Sequence, residues 1–205
     1  MVLKVLPNIK HKRKRCFRFM LFGVKCIGCG SGKNNFSFYD KEKKQWVLCN
    51  LDTKKEKRSD GKFIGNFDKD SLIVFKEKQS YFFLNDSLEL ALNSSYDFAT
   101  PFSSVSAIVQ KSKGFTLLDK NGKYIVLPNK GKLSYVAENL IEEVKLPNFT
   151  IINSKGESKL AAGYESIHVL DNGVIQGING DEIQYVDLNG HLLFTSFTKD
   201  VIVEK

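Results

Sequence analysis

The sequence predicts an all-β protein built from antiparallel hairpins, and three observations support this. Apolar runs such as "SAIVQ" and "GFTLLD" are short, rich in β-branched and aromatic residues, and closed by turn residues. Helix signals are nearly absent, and even the ambiguous stretch "SYVAENLIEEV" is expected to end in a strand. Similar runs also recur at a constant spacing, which is typical of repeat architectures.

The expected repeat is defined by an apolar run that ends in Asp or Asn. It occurs as "FSFYD", "YFFLN", "FTLLD", "FTIIN" and "IQYVD", which end at Asp40, Asn85, Asp119, Asn153 and Asp187. The intervals are 45, 34, 34 and 34 residues, and glycine follows three residues later at Gly122, Gly156 and Gly190. The longer first interval predicts an eleven-residue insertion around the charged segment "TKKEKRSDG".

The Asp and Asn positions are predicted to be structural. The turns "DKNGK", "NSKGE" and "DLNGH" place Gly or Asn-Gly where a hairpin needs positive φ. Each repeat is therefore expected to contain a strand, a short turn, a second strand ending at Asp or Asn, a tight turn and a third strand. Because one unit cannot bury its apolar face alone, about five units over residues 36–205 should stack as a solenoid or as a propeller-like or barrel-like sheet.

Residues 96–126 give the repeat a family resemblance. They carry Tyr96, Phe102, Ala107, Val109, Asp119 and Gly122 at positions that resemble the WG repeat of bacterial proteins, and "YESIHVL" at Tyr164 begins a second partial copy. The repeat is degenerate, because the Trp-Gly pair is replaced. The aromatic slot holds Phe36, Tyr81, Phe115, Phe149 and Ile183, and the glycine slot holds Ser37, Phe82, Thr116, Thr150 and Gln184. The resemblance implies a binding or scaffold role and names no ligand.

The positive charge is concentrated at the N-terminus. The 205-residue chain has a formal net charge of +8, yet residues 1–33 contain nine Lys and Arg and no acidic residue. The remainder has 22 cations against 23 anions, a net charge of −1. A nucleic-acid-binding domain needs its cations on the surface that docks, so the sequence does not favour nucleic acid as a partner of the folded part.

The segment "CIGCGSGKNN" fits neither a metal site nor a phosphate loop. Cys26 and Cys29 form one C-x-x-C pair, but no second pair accompanies them, and the histidines form no ligand-spaced group. A phosphate loop fails because Ile27 replaces its first glycine and Asn34 its magnesium-binding hydroxyl. No cofactor or metal is therefore predicted.

The same segment ends a pattern that is typical of secretion signals. "IKHKRKR" supplies the cations, "FMLFGV" the apolar centre and "CIGC" the end. This resembles the lipobox of bacterial lipoproteins, which implies lipidation of Cys29, with Ile27 and Gly28 before the cleavage point. Residues 1–28 would be the signal peptide and residues 29–35 a flexible tether. The mature chain would be anchored by lipid on the periplasmic or outer face of the cell envelope. Two alternatives stay open: a disordered basic arm on a cytosolic protein, or an uncleaved amphipathic segment at a membrane surface.

The candidate catalytic residues have structural explanations. Asp40, Asp119 and Asp187 precede hairpin turns, and a calcium loop fails because Leu117 and Tyr185 stand at its first ligand position. His168 and His191 are single histidines in strand-like segments, and Cys49 resembles a small core residue. Trp46 is the only tryptophan, and it marks either a binding surface or a buried position.

We therefore expect a non-enzymatic envelope lipoprotein whose β-repeats bind a protein or small ligand that the sequence does not identify. The rival hypothesis is a cytosolic β-repeat interaction protein. In that case the basic arm at residues 10–15 would contact anionic membrane or nucleic acid.

Overall fold

The computed structural model describes residues 16–21, 24–30, 34–59, 72–103, 105–112, 114–126 and 131–200. The chain forms two compact parts, Met1–Pro101 and Phe102–Lys205, which we call the N-terminal lobe and the C-terminal lobe. The predicted fold class is confirmed at this level: the strands are antiparallel hairpins and meanders, and the only helix among the described residues is one turn of 3-10 helix.

Eight strands lie in the described residues of the N-terminal lobe. They are β1 (Cys16–Leu21), β2 (Val24–Gly30), β3 (Asn35–Asp40), β4 (Gln45–Asn50), β5 (Glu56–Ser59), β6 (Ile73–Glu77), β7 (Ser80–Leu84) and β8 (Phe98–Ala99). Strands β1 to β5 form one sheet in sequence order, and β6 pairs with β7. Leu48, Ile73, Phe75, Leu84 and Leu88 form a buried cluster that joins these two sheets.

Over the ranges of the C-terminal lobe that the structure describes, there are ten strands. They are β9 (Ser106–Lys111), β10 (Gly114–Asp119), β11 (Lys132–Ala137), β12 (Leu140–Lys145), β13 (Asn148–Asn153), β14 (Ser158–Tyr164), β15 (Ser166–Val169), β16 (Ile175–Asn179), β17 (Glu182–Val186) and β18 (Leu192–Phe197). Strands β11–β14 and β15–β18 form two four-stranded sheets, and β9 forms a hairpin with β10. The 3-10 turn Thr198–Asp200 follows β18.

Strand formation follows from the apolar runs. In β9 four consecutive residues are buried, so both faces of the strand are covered, as expected for a continuous apolar segment. The core of the C-terminal lobe joins its two four-stranded sheets through Leu140, Ile151, Leu160, Tyr164, Ile175 and Val186. These two sheets therefore bury apolar residues against each other.

The ambiguous stretch "SYVAENLIEEV" falls in β11 and β12, so its predicted strand is confirmed. The N-terminal segment forms the hairpin β1–β2, and β2 pairs with β3. Across the described ranges, no helix is long and apolar enough to cross a membrane.

Candidate interaction surface

The predicted Asp and Asn positions share one turn geometry. At Asn85, Asp119, Asn153 and Asp187, the backbone N–H donates to the carbonyl four residues later. The side-chain oxygen of each accepts the N–H groups two and four residues later. The residue three positions on has positive φ in every case: Leu88, Gly122, Gly156 and Gly190. These side chains therefore satisfy backbone donors at intervals of 34 residues.

The first repeat is aligned differently from the sequence prediction. Asn50 ends β4, the middle strand between β3 and β5, and its Oδ1 accepts the N–H of Thr53 at 2.7 Å. Asp40 instead ends the preceding strand β3 and accepts the N–H groups of Glu42 and Lys43 at 3.1 Å. By spacing, Asn50 matches Asn85 better than Asp40 does, because it lies 35 positions earlier and this interval needs no eleven-residue insertion. Its turn is one residue longer than the other four, since the Asn50 N–H donates to the Lys55 carbonyl.

This alignment changes the aromatic slot of the first repeat. The slot lies four residues before the Asp or Asn, so Trp46 occupies it rather than Phe36, in the run "WVLCN". Trp46 is half-buried and its ring meets Tyr39 edge-on, with ring centroids 5.7 Å apart. The only tryptophan of the chain therefore lies where the WG pattern has its tryptophan.

Two of the turn carboxyls have lowered pKa values. The pKa of Asp40 is held below its usual value mainly by the Lys43 N–H, with a further contribution from Arg58 at 3.0 Å. The pKa of Asp187 is lowered mainly by the N–H of His191, and also by the N–H of Asn189 and the His191 side chain. Both carboxyls are thus stabilised as anions by hydrogen bonds within their own turns.

Consecutive repeats of the C-terminal lobe fit together at the turn glycines. A Cβ placed on Gly156 would lie 2.9 Å from Val126 Cγ2 and 3.3 Å from Ile125 Cγ2. A Cβ on Gly190 would lie 2.5 Å from the backbone oxygen of Lys159. The Gly156 turn therefore packs against side chains that follow β10, and the Gly190 turn rests on the backbone of β14, at a distance that only glycine permits.

Tyr164 makes a second connection between these repeats. Its ring covers Gly177 of β16, where a Cβ would lie 2.6 Å from the ring, and its hydroxyl donates to Gln184 Oε1. Burial raises the pKa of Tyr164, and Glu182 adds to the shift. The tyrosine is therefore a packing residue whose hydroxyl remains protonated at neutral pH.

The Gly190 turn rests on a β-bulge, and β18 has a bulge of the same form. In the pairing of β13 with β14, Ile152 faces Ser158 and Ile151 faces Leu160, so Lys159 is the extra residue. In the pairing of β17 with β18, Val186 faces Leu192 and Tyr185 faces Phe194, so Leu193 is the extra residue. We call the bulged residue and the residue after it the seat of each repeat.

The seat of the last described repeat is exposed and apolar. In the fourth repeat the seat is half-buried Lys159 and Leu160, which is 3% exposed, under the turn of Gly190. In the last repeat the equivalent residues are Leu193 and Phe194, which are 52% and 56% exposed.

Exposed apolar side chains continue along this strand. Leu192, Leu193, Phe194 and Phe197 are all exposed, and we call them the β18 surface. Phe194 is held against Tyr185, with ring centroids 4.3 Å apart and nearly parallel planes. Isolated exposed apolar residues are ordinary, but a contiguous group of them is typical of an interaction site. This surface was not singled out from the sequence, although "LLFTSF" is an uncharged β-forming segment.

The predicted lipidation site lies in the backbone of β2. Ile27, Gly28 and Cys29 all fall in this strand, and Cys29 is opposite Cys16 of β1 and Ser37 of β3. Of the predicted tether, Cys29 and Gly30 end β2 and Asn35 begins β3. Cleavage and lipidation stay predictions.

No group of three or more potential metal ligands is found within the part of the chain that the structure describes. Cys49 is buried in β4, and His168 lies exposed in β15.

No family model and no curated protein matches the chain. Solved structures whose chain follows a similar path include Kluyveromyces lactis Hsv2 with loop 6CD replaced by a Gly-Ser linker, at 11% identity and a TM-score of 0.44. That match covers 83% of this chain and 62% of the Hsv2 chain. Unaltered Kluyveromyces lactis Hsv2 matches at 12% identity and a TM-score of 0.41, over 84% and 60% of the two chains.

A protein of unknown function from Bacteroides caccae matches at 14% identity and a TM-score of 0.33, over 84% of this chain and 72% of that one. The chain spans less than two thirds of the Hsv2 chains that it matches. At these TM-scores the likenesses carry no argument about closure of the sheet or about function.

Proposed function

We propose that this chain is a non-enzymatic cell-envelope lipoprotein, anchored through Cys29, whose β-repeats serve as a binding or scaffold module. The observation that carries the binding role is the β18 surface, because Leu193 and Phe194 are exposed at positions equivalent to Lys159 and Leu160, against which the Gly190 turn packs. Exposed apolar groups on a rigid sheet release water when a partner covers them, which favours association.

The WG resemblance gains support from the alignment of the first repeat. Trp46 stands four residues before Asn50, as tryptophan does in the WG pattern. The packing of the Gly156 and Gly190 turns against the preceding repeats supports a stacked arrangement of about 34-residue units, as a solenoid or as part of a propeller-like sheet.

The turn carboxyls favour binding rather than catalysis as the function, because Asp119 and Asp187 already accept hydrogen bonds from backbone N–H groups.

The rival hypothesis also has an observation in its favour. Residues 24–30 supply strand β2, which pairs with β3, so removal of residues 1–28 would take most of a strand from the sheet. A chain that retains this segment fits a cytosolic interaction protein whose basic N-terminal arm contacts anionic membrane or nucleic acid. Both hypotheses keep the β18 surface as the binding site.

The binding role is tested by site-specific photo-crosslinking in the host cell. A photoreactive residue replaces Thr195, which is exposed in the middle of β18, and in a matched variant it replaces Leu146, which is 83% exposed in the β12–β13 turn. We expect covalent adducts with a protein from position 195 and none from position 146. Absence of adducts at position 195 would overturn the binding role of the β18 surface.

A further inference from the structure

We propose that the partner of the β18 surface is a second copy of this chain, which pairs antiparallel with it, β18 to β18. This inference rests on the proposed binding role of that surface and names its occupant. It is carried by the position of β18 at the edge of its sheet, by the strand's composition and by the form of the seat.

The first observation is that β18 ends its sheet. The order is β15-β16-β17-β18, and β17 is the strand that pairs with β18 among the described residues. Alternate N–H and C=O groups of an edge strand point away from its neighbour and provide a template for another strand. Beyond the bulge at Leu193, residues 194–197 pair regularly with β17, so this part of the edge is a continuous template.

The second observation is that β18 has, apart from the bulge at Leu193, none of the residues that usually prevent edge pairing. Its sequence, "LLFTSF", has no charge, proline or glycine. The edge strand of the neighbouring sheet, β11, begins with Lys132, and β14 at its other edge carries Lys159. Long, uncharged, apolar edge strands are predicted association sites because nothing opposes the pairing of a second strand.

The third observation disfavours the head-to-tail alternative, in which the first repeat of one copy would rest on the last seat of another. The turn of the first repeat is one residue longer than the Gly190 turn: the Asn50 N–H donates to the carbonyl five residues later, whereas the Asp187 N–H donates to the carbonyl four residues later. The positive-φ residue of this longer turn is Lys54. It therefore does not reproduce the short glycine turn that lies against Lys159.

Pairing of β18 with itself meets no such obstacle. The strand is uncharged, so no antiparallel register brings like charges together. The pairing extends a four-stranded sheet by the same kind of antiparallel ladder that β17 and β18 already form. It also places the same surface on both sides of a twofold axis, so the assembly closes as a dimer and does not continue as a filament.

The test is the concentration dependence of molecular mass, measured by sedimentation equilibrium on the full chain. All variants carry Cys29→Ala, so that association through lipid does not contribute. Thr195→Lys introduces one cation at the middle of the edge strand, near the same lysine of the second copy in the proposed dimer. Leu146→Lys adds the same charge at an exposed apolar residue away from β18, and both sites are on the surface, so the fold should tolerate both changes.

We expect a monomer–dimer equilibrium over about 1–100 µM, a range that brackets a micromolar Kd. Thr195→Lys should raise the Kd at least about tenfold, because two lysines would meet where apolar strands pair. Leu146→Lys should leave the Kd unchanged. A monomer at every concentration, or a dimer that Thr195→Lys does not weaken, would overturn the inference.

Photo-crosslinking separates this inference from the proposed binding role. An adduct at position 195 with the mass of two chains supports both. An adduct of this chain with a different protein, together with a monomeric purified chain, retains the binding role and overturns self-association. Absence of both adducts overturns both.

Discussion

Asp187 is held in its turn by three donors. Its Oδ1 accepts the N–H groups of Asn189 at 2.8 Å and His191 at 2.9 Å, and its Oδ2 lies 3.1 Å from His191 Nδ1. Asn85 and Asn153 make the same backbone contacts with an uncharged amide oxygen. The turn therefore needs an acceptor at this position, and the charge of Asp187 adds a dependence on pH.

Replacing Asp187 with Asn should remove that dependence. Because the pKa of Asp187 is lowered in the folded chain, its contribution to stability is present above the unfolded pKa. The contribution is lost as the pH falls through the folded pKa. Between about pH 5 and pH 2, the urea midpoint of Asp187→Asn should therefore fall less than that of the unsubstituted protein. Parallel pH profiles for the two proteins would contradict this account.

The turn residues were accessible to sequence reasoning, whereas the residues of the β18 surface were not. Asn, Asp and Gly at turns act through local backbone geometry, so their spacing alone identified positions 85, 119, 153 and 187. The exposure of Leu193 depends on whether another repeat covers it, which is a property of packing between repeats. Leu and Phe in a strand are usually buried, whereas Leu193 and Phe194 are exposed.

At the level of elements, the contact between a turn and the preceding strand is the feature that joins the repeats. Gly190 lies in a left-handed conformation, with φ of 90°, directly against the backbone of Lys159. Gly180, in the β16–β17 turn, also has positive φ, 57°, but a Cβ there would meet nothing within 4 Å. The two glycines share a need for positive φ and differ in the space around them.

This difference makes them a matched pair. Gly180→Ala should lower the free energy of unfolding by about 1 kcal/mol, because only backbone strain is introduced. Gly190→Ala should lower it by about 2–4 kcal/mol, because the turn must also move away from β14 and disturb the packing of two repeats. Urea denaturation of both variants measures the difference, and equal losses would show that the contact with Lys159 is unimportant.

The strands themselves were largely predictable, but their place in the repeat was not always so. Both "FSFYD" and "QWVLCN" are apolar runs that end in Asp or Asn, so the sequence alone does not distinguish β3 from β4 as the middle strand. The strand pairing does not distinguish them either, because β3 lies between β2 and β4 just as β4 lies between β3 and β5. The spacing to Asn85 favours Asn50 over Asp40 as the repeat position. The signal that would have found it is the 35-residue interval from Asn50 to Asn85, together with Trp46 in the aromatic slot.

At the scale of the whole molecule, the fate of residues 1–28 separates the two functional hypotheses. Intact mass of the protein expressed in its native host should show a chain that begins at Cys29 and carries added lipid. Cys29→Ala should lack the lipid mass. Cys49→Ala should keep it, because Cys49 is buried in β4 and is far from the signal in sequence.

An unmodified chain that still carries residues 1–28 would rule out the lipoprotein proposal. It would fit the pairing of β2 with β3 and direct attention to the basic arm at residues 10–15. Strongly salt-dependent binding to anionic vesicles or nucleic acid would then support the cytosolic rival.

The close packing of the turn glycines has a consequence for how the sequences of duplicated repeats diverge. Mutational drift can exchange tryptophan for tyrosine, phenylalanine or isoleucine in the aromatic slot, because several side chains fill a partly buried position. In the C-terminal lobe, drift cannot exchange Gly156 or Gly190 so freely, because each lies within van der Waals reach of its neighbour. Relatives of this chain should therefore be recognised better by the interval between Asp or Asn and its following glycine than by the Trp-Gly pair.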